Sequence, residues 1–186
     1  MGAEAPEWFC HLFIKENLSK ILTWNCTARA DLLKEEDVKL MKEANCNIIR
    51  MGVEAGDSYI RNKVYNRNMS LKSIIDAVKL CRKYGIANQL NFMFGGPKET
   101  METMQKTFNI AQVLNPEQIS LNIFQPLPAT DATQLLKKNG GIIQEKCWAD
   151  MYNFYYKSMI NTTYLKRNQI NHFKRKIDIY FITKSE

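Results

Sequence analysis

Apolar positions along the chain follow two rhythms. Stretches with apolar residues three and four apart predict helices, and the short apolar runs between them predict buried strands. The first helix spans roughly Glu7 to Glu16, with Trp8, Phe9, Leu12 and Phe13 on one face, and leads to a short strand at Lys20 to Trp24. A second helix, Glu35 to Ala44, turns Val38, Leu40 and Met41 inward and precedes a strand at Asn47 to Val53. The third is the best punctuated. Ser70 is its N-cap, Ile74, Ile75, Val78 and Cys81 fall at helical spacing, Arg82 and Lys83 occupy the last turn, and Gly85 ends it. A strand at Ala87 to Phe94, a helix behind Thr100 carrying Met104, Phe108, Ala111 and Leu114, and a strand at Ile119 to Phe124 complete the series.

Strands that alternate with helices imply an α/β fold with a mainly parallel sheet, and right-handed crossovers bring all strand C-termini to one rim. Ligands of parallel α/β proteins bind at that rim. Its residues are Asn25, the stretch Gly52-Val53-Glu54-Ala55-Gly56, Asn91 with Gly95-Gly96-Pro97, and Gln125 before Pro126. After Gly140-Gly141 the pattern changes. Residues 145–165 are rich in aromatics and read as a helix, and the stretch from Tyr164 to Glu186 is basic. The chain is therefore divided into 1–141 and an aromatic, basic helical tail, 142–186.

Composition narrows the function classes. The 186 residues are 45% hydrophobic and 24% charged, as in a globular domain rather than a disordered chain. Much of the net charge of +7 sits in the tail, where a solvated surface is the simpler reading, so nucleic acid is not an expected partner. No run approaches the roughly 18 to 20 apolar residues of a membrane span. The cysteines, Cys10, Cys26, Cys46, Cys81 and Cys147, include no close pair, so no metal motif can be written and reduced thiols in a cytoplasmic protein are expected. His11 and His172 are too isolated to propose as ligands.

Five segments carry a resemblance: W-N-C-T-A-R-A-D-L-L (Trp24 to Leu33), L-M-K-E-A-N-C (Leu40 to Cys46), M-G-V-E-A-G-D (Met51 to Asp57), F-M-F-G-G-P-K-E-T (Phe92 to Thr100) and P-L-P-A-T (Pro126 to Thr130). In order and spacing they resemble the radical S-adenosylmethionine (SAM) superfamily, in the branch with a cobalamin-binding domain upstream. Members of that branch read W-x-x-x-x-R-x-D, L-M-K-x-A-G-C, G-I-E-S-G-S, F-I-x-G-L-P-G-E-T and P-x-P-G-T. The resemblance implies a partial (β/α) barrel of TIM-like type, about four parallel strands with flanking helices followed by the helical tail. The family's C-x3-C-x2-C loop, which holds a [4Fe-4S] cluster, does not occur in this sequence. Asn45, Lys98 and Ala129 replace glycines of the family pattern, and Gly96 replaces its leucine; altered turns are expected at Lys98 and Ala129.

Carried over position by position, the resemblance assigns Asn25 to the cofactor's methionine moiety, Glu54 and Asn91 to the ribose, and Arg67 to the carboxylate. Gly95, Gly96 and Pro97 would let backbone approach the adenine, and Gln125 lies on the same side. Plainer readings stand beside these: strand-end turn formers for Asn25 and Asn91, a helix cap for Glu54, and surface polar groups for Arg67 and Gln125. No catalytic residue and no metal ligand is assigned within the chain.

The implied function is the C-terminal part of a radical SAM enzyme, inactive alone. It would supply part of the SAM and substrate cradle for 5′-deoxyadenosyl radical chemistry on an unknown, small-molecule substrate. The cluster would be held by a missing N-terminal segment or a partner chain, with cobalamin in an upstream domain as a further expected cofactor. The alternative is a half-barrel binding module or partner subunit without catalysis of its own. Methylthiotransferase-like and oxygen-independent porphyrinogen-oxidase-like relatives share Glu54 and the Gly95-Gly96-Pro97 turn. On either main reading, the first strand is expected to be an uncovered edge through which the isolated chain associates.

Overall fold

A computed structural model describes residues 7–143 and 157–184 of the chain. Four helix–strand alternations follow the pattern of the sequence: α1 (Glu7–Lys15), β1 (Trp24–Ala28), α2 (Glu35–Glu43), β2 (Cys46–Glu54), α3 (Leu71–Lys83), β3 (Ala87–Phe94), α4 (Met101–Leu114) and β4 (Gln118–Ile123). They continue into α5 (Asp131–Lys138), a two-stranded antiparallel pair of β5 (Ile142–Ile143) and β6 (Ile160–Asn161), and α6 (Arg167–Lys184). The four main strands are parallel and lie in one sheet in the order β1-β2-β3-β4. That sequential order, without reversal, is the winding of a β/α barrel and not of a doubly wound sheet.

The local causes are ordinary. Ser70 Oγ accepts the Ser73 amide at 3.0 Å and starts α3, and Gly85, at φ +62°, takes the left-handed conformation that ends it. Along β3, Asn88, Leu90, Phe92 and Phe94 are fully buried while Ala87, Gln89, Asn91 and Met93 are half-buried, the period-two signature of a strand.

Three expectations need correction. Leu18–Lys20 form a 3₁₀ turn after the left-handed Asn17, so the first strand begins at Trp24 rather than Lys20. Trp24 fixes that start, its indole N–H donating to the Ala44 carbonyl at 2.8 Å. Asn25 is consequently the second residue of β1 and not its end. The turns at Lys98 and Ala129 take the left-handed conformation that glycine accommodates, with φ of +62° and +60°, and Asn45 does the same at +63°, so these turns need no glycine. The helix expected over 145–165 falls largely outside the described residues, and 157–165 contain β6 instead. Helix α5, which follows directly from the P-L-P-A-T segment, is an addition; Thr130 Oγ1 caps it by accepting the Thr133 amide at 3.3 Å.

A left-handed alanine costs about 1 kcal/mol relative to glycine. Ala129→Gly is expected to stabilise the chain by about 0.5 kcal/mol after the extra entropy of glycine in the unfolded chain is deducted. Urea denaturation checks this, and an unchanged or lower midpoint would contradict it.

The chain divides into two compact units. The first comprises the residues up to Val53 with Met69–Asn91 and Val113–Ser120; the second comprises Glu54–Asn68, Phe92–Gln112 and the described residues from Leu121 onward. In the first, α1 packs on α2 and α2 on α3, and Phe9 and Phe13 set their rings against Trp24 at 5.0 and 6.5 Å. β1 is an edge of the sheet, and Trp8, Leu12, Ile21 and Leu22 beside it in sequence are exposed. In the second, Phe173 of α6 lies 5.9 Å from Phe94 and 6.5 Å from Phe108, so the basic tail has an apolar inner face. Lys174 on α6 is 6% exposed and is neutralised by both carboxylate oxygens of Asp178 at 2.6 Å.

Candidate functional site

Six of the eight candidate residues, Glu54, Arg67, Gly95, Gly96, Pro97 and Gln125, belong to the second unit, and Asn25 and Asn91 to the first. Glu54 is the last residue of β2 and sits at φ +63°. Non-glycine residues are rarely held there, and such strain concentrates at functional positions. Its side chain is 21% exposed and faces the Arg67 guanidinium at 3.6 Å. Burial raises the Glu54 pKa and the Arg67 charge opposes that rise. The capping role open to Glu54 is taken by Asp57 instead, whose Oδ1 accepts the amides of Tyr59 and Ile60 at 3.0 and 3.2 Å.

The segment after Glu54 is locked. Gly56 N donates to Thr107 Oγ1 at 2.9 Å, and Lys106 Nζ reaches Asp57 Oδ2 at 3.2 Å. Arg61, 2% exposed, donates to the carbonyls of Ala55 and Gly56 at 2.9 and 3.2 Å from a π-helical turn over Ile60–Val64. Arg67 follows that turn, its amide bonded to the Arg61 carbonyl at 3.0 Å.

The Gly95-Gly96-Pro97 turn is held from inside by two residues that the sequence did not single out, Tyr65 and Glu99. Glu99 is fully buried, and its Oε2 accepts the Gly96 amide at 2.9 Å and the Tyr65 hydroxyl at 3.1 Å. Burial pushes the Glu99 carboxyl up to about 7, against the hydrogen bonds, which pull it down. Tyr65, stacked 6.4 Å from Phe124, is raised well above its ordinary value, first by burial and then by the Glu99 and Glu54 carboxylates. Both glycines are required by the fold itself. A Cβ on Gly96 would lie 2.0 Å from the Tyr65 hydroxyl, and one on Gly95 would lie 2.6 Å from Ile170 of α6. Glu99 stands within the quoted F-M-F-G-G-P-K-E-T segment, but its neighbours Lys98 and Thr100 give it the look of a solvated turn residue.

In the first unit, Asn91 is the fifth residue of β3 rather than its last. Its Oδ1 accepts from Gln89 Nε2 at 3.3 Å, and Gln89 Oε1 accepts from Arg50 Nε at 3.1 Å. This makes a polar file across the two strands. Asn25 is exposed on the edge strand. Among the described residues no group of three or more His, Cys, Asp or Glu could hold a metal ion, so those residues do not by themselves fit an iron–sulfur cluster. No helix among them is long and apolar enough to cross a membrane.

Comparison with known proteins places these features in a family context. The Radical SAM superfamily profile matches residues 5–111. An uncharacterised methyltransferase of Pyrococcus horikoshii is 28% identical over 109 residues, 59% of this chain and 24% of its own. The anaerobic magnesium-protoporphyrin IX monomethyl ester cyclase of Rubrivivax gelatinosus is 27% identical over 130 residues, 69% of this chain and 23% of its own. The chain thus spans about a quarter of the length of these relatives. Among solved structures, the cobalamin-dependent S-adenosylmethionine radical enzyme OxsB with aqua-cobalamin bound superposes with a TM-score of 0.64 at 15% identity, covering 92% of this chain and 31% of that one. This is a likeness of fold.

Proposed function

The chain belongs to the radical SAM superfamily, and from that premise we propose that it forms the C-terminal part of a radical SAM barrel, contributing to the SAM and substrate cradle. The observation that carries the reading is Glu54, a carboxylate held in a left-handed strand end against Arg67. SAM, when bound in such a barrel, supplies the adenosyl group of the family's radical chemistry. Within the cradle, the two Glu54 oxygens accept the ribose hydroxyls and Arg67 meets the methionine carboxylate. Tyr65 and Glu99 fix the Gly95-Gly96-Pro97 turn beside the adenine, and Gln125 adds a polar group to the same ligand. The iron–sulfur cluster is held by a segment upstream or by a partner chain. Cobalamin sits in an upstream domain, a reading favoured by the likeness to a cobalamin-dependent enzyme. The substrate is a small molecule and the setting is cytoplasmic.

Equilibrium binding of labelled SAM to the full-length native protein tests this. Glu54→Gln keeps the shape and removes one acceptor oxygen and the charge, and it is expected to weaken binding by roughly tenfold. Unchanged affinity in Glu54→Gln and in Arg67→Ala would remove both residues from the cradle.

A further inference from the structure

One face of the sheet in the first unit carries a cation with no counter-charge. Arg50 is half-buried on β2, and its Nε donates to Gln89 Oε1 on β3 at 3.1 Å. That is its only hydrogen bond among the described residues, and it joins no ion pair with them. Gln89 and Asn91 stand on the half-buried side of β3, which alternates with the fully buried side of Asn88, Leu90 and Phe92. Thr27 of β1 is paired in register with Arg50, so it shares that face, and it is exposed. No acidic residue stands beside Arg50 on either neighbouring strand.

The polarity of this group is fixed by its cation. An arginine only donates, which settles both amides beyond it. Gln89 turns Oε1 to Arg50, and its Nε2 then donates to Asn91 Oδ1 at 3.3 Å. Both Nη groups of Arg50, the Thr27 hydroxyl and Asn91 Nδ2 make no hydrogen bond among the described residues. A half-buried guanidinium surrounded by unused donors is costly to keep without an anion.

Geometry and charge narrow the anion. A side-on fork would use Nε with one Nη, but Gln89 occupies Nε, so only the end-on fork of the two Nη groups is open. That fork matches the two oxygens of a carboxylate. One positive group balances a monocarboxylate, whereas a phosphate monoester carries about 1.5 to 2 negative charges and would be left partly unneutralised.

We propose that this face binds a small organic monocarboxylate. Arg50 clamps both carboxylate oxygens, and Gln89, held by Asn91, is the positioning residue that fixes the guanidinium. The site lies wholly in the first unit and does not depend on Glu54 and Arg67 holding SAM.

Arginine footprinting of the full-length native protein tests this. Phenylglyoxal condenses with the Nη groups of an uncovered arginine and blocks tryptic cleavage there, so modified Arg50 appears in the peptide Glu43–Arg61 instead of Glu43–Arg50 and Met51–Arg61. Benzoate at about 50 mM is expected to slow modification of Arg50 about sixfold, as a Kd of about 10 mM requires. Benzamide, which has nearly the same shape and no charge, should leave the rate unchanged at equal ionic strength. Arg175, exposed on α6, is the reference and should react at one rate throughout. Gln89→Leu leaves Arg50 in place but unpinned, and protection by benzoate should fall to about twofold; undiminished protection would remove the positioning role. Equal protection by benzamide, equal slowing of Arg175, protection by inorganic phosphate as strong as that by benzoate, or an Arg50 that resists the reagent before any carboxylate is added would each overturn the proposal. The wild-type footprint decides the site even if the variant fails to fold.

Discussion

Unfolding free energy is expected to fall by about 3 kcal/mol in the wild-type chain, relative to a Glu99→Gln variant, as the pH rises from 4.5 to 7. The cause is Glu99, which is fully buried and whose pKa burial pushes from 4.5 up to about 7. In that window the unfolded chain has already released the proton and the folded chain still holds it. The folded state therefore binds more protons, and each pH unit removes about 1.4 kcal/mol of stability. The contribution is fully present below 4.5 and lost by the time the folded carboxyl ionises. Asp57 and Glu35 are depressed instead, so their contributions fade as the pH falls below their ordinary values and leave the slope above 4.5 largely alone. Glutamine at position 99 mimics the protonated acid: its carbonyl oxygen can accept from Gly96 N and Tyr65 OH, and it has no proton to lose. Urea titrations at four or five pH values give the comparison. Parallel stability curves for the two proteins would show that Glu99 is not the titrating group.

The second large effect is steric. A Cβ on Gly56 would stand 2.6 Å from the Lys106 carbonyl oxygen and 2.8 Å from the Thr107 Cα. Both are backbone of α4, so no side chain can rotate away to make room. Moving the loop instead stretches the Gly56 N to Thr107 Oγ1 bond of 2.9 Å and disturbs the carbonyls that satisfy buried Arg61. Gly56→Ala is expected to destabilise the chain by about 3 kcal/mol, a fall in melting temperature of roughly 6–12 °C for a chain of this size. Gly140→Ala is the control. Nothing lies within 4 Å of a Cβ there, but φ is +74°, so only the conformational penalty of about 1 kcal/mol applies. Equal losses in the two variants would mean that the close approach to α4 does not exist.

Much of the fold could be read from the chain because the informative patterns are local. Helix α3 carries its cap, its apolar stripe and its stop in adjacent residues, and β3 alternates without interruption. The first strand was harder for a physical reason. Ile21 and Leu22 look like the start of a buried run, yet they are 74% and 49% exposed, and the ladder begins only where the Trp24 indole finds the Ala44 carbonyl. The candidate site was half legible. Glu54 stands at its strand end as the spacing implied, whereas Asn25 and Asn91 fall inside their strands. Tyr65 and Glu99 gave no signal, because their partners are a glycine amide and each other, 34 residues apart in the chain. The left-handed Lys98 and Ala129 show the converse: the fold imposes a turn that the residue type does not prefer.

The ring of Tyr65 limits which substitutions position 96 can accept. The family pattern that this segment resembles has leucine where this chain has Gly96, and here the space for a side chain at 96 is filled by the Tyr65 hydroxyl and ring edge. The Tyr65 ring and a side chain at position 96 would compete for one space, so a change at either position is felt at the other. A leucine restored beside the tyrosine collides, and a small residue at 65 beside the glycine leaves a hole and strips Glu99 of a donor. The two positions are sterically coupled, and a larger residue at 96 needs a smaller one at 65.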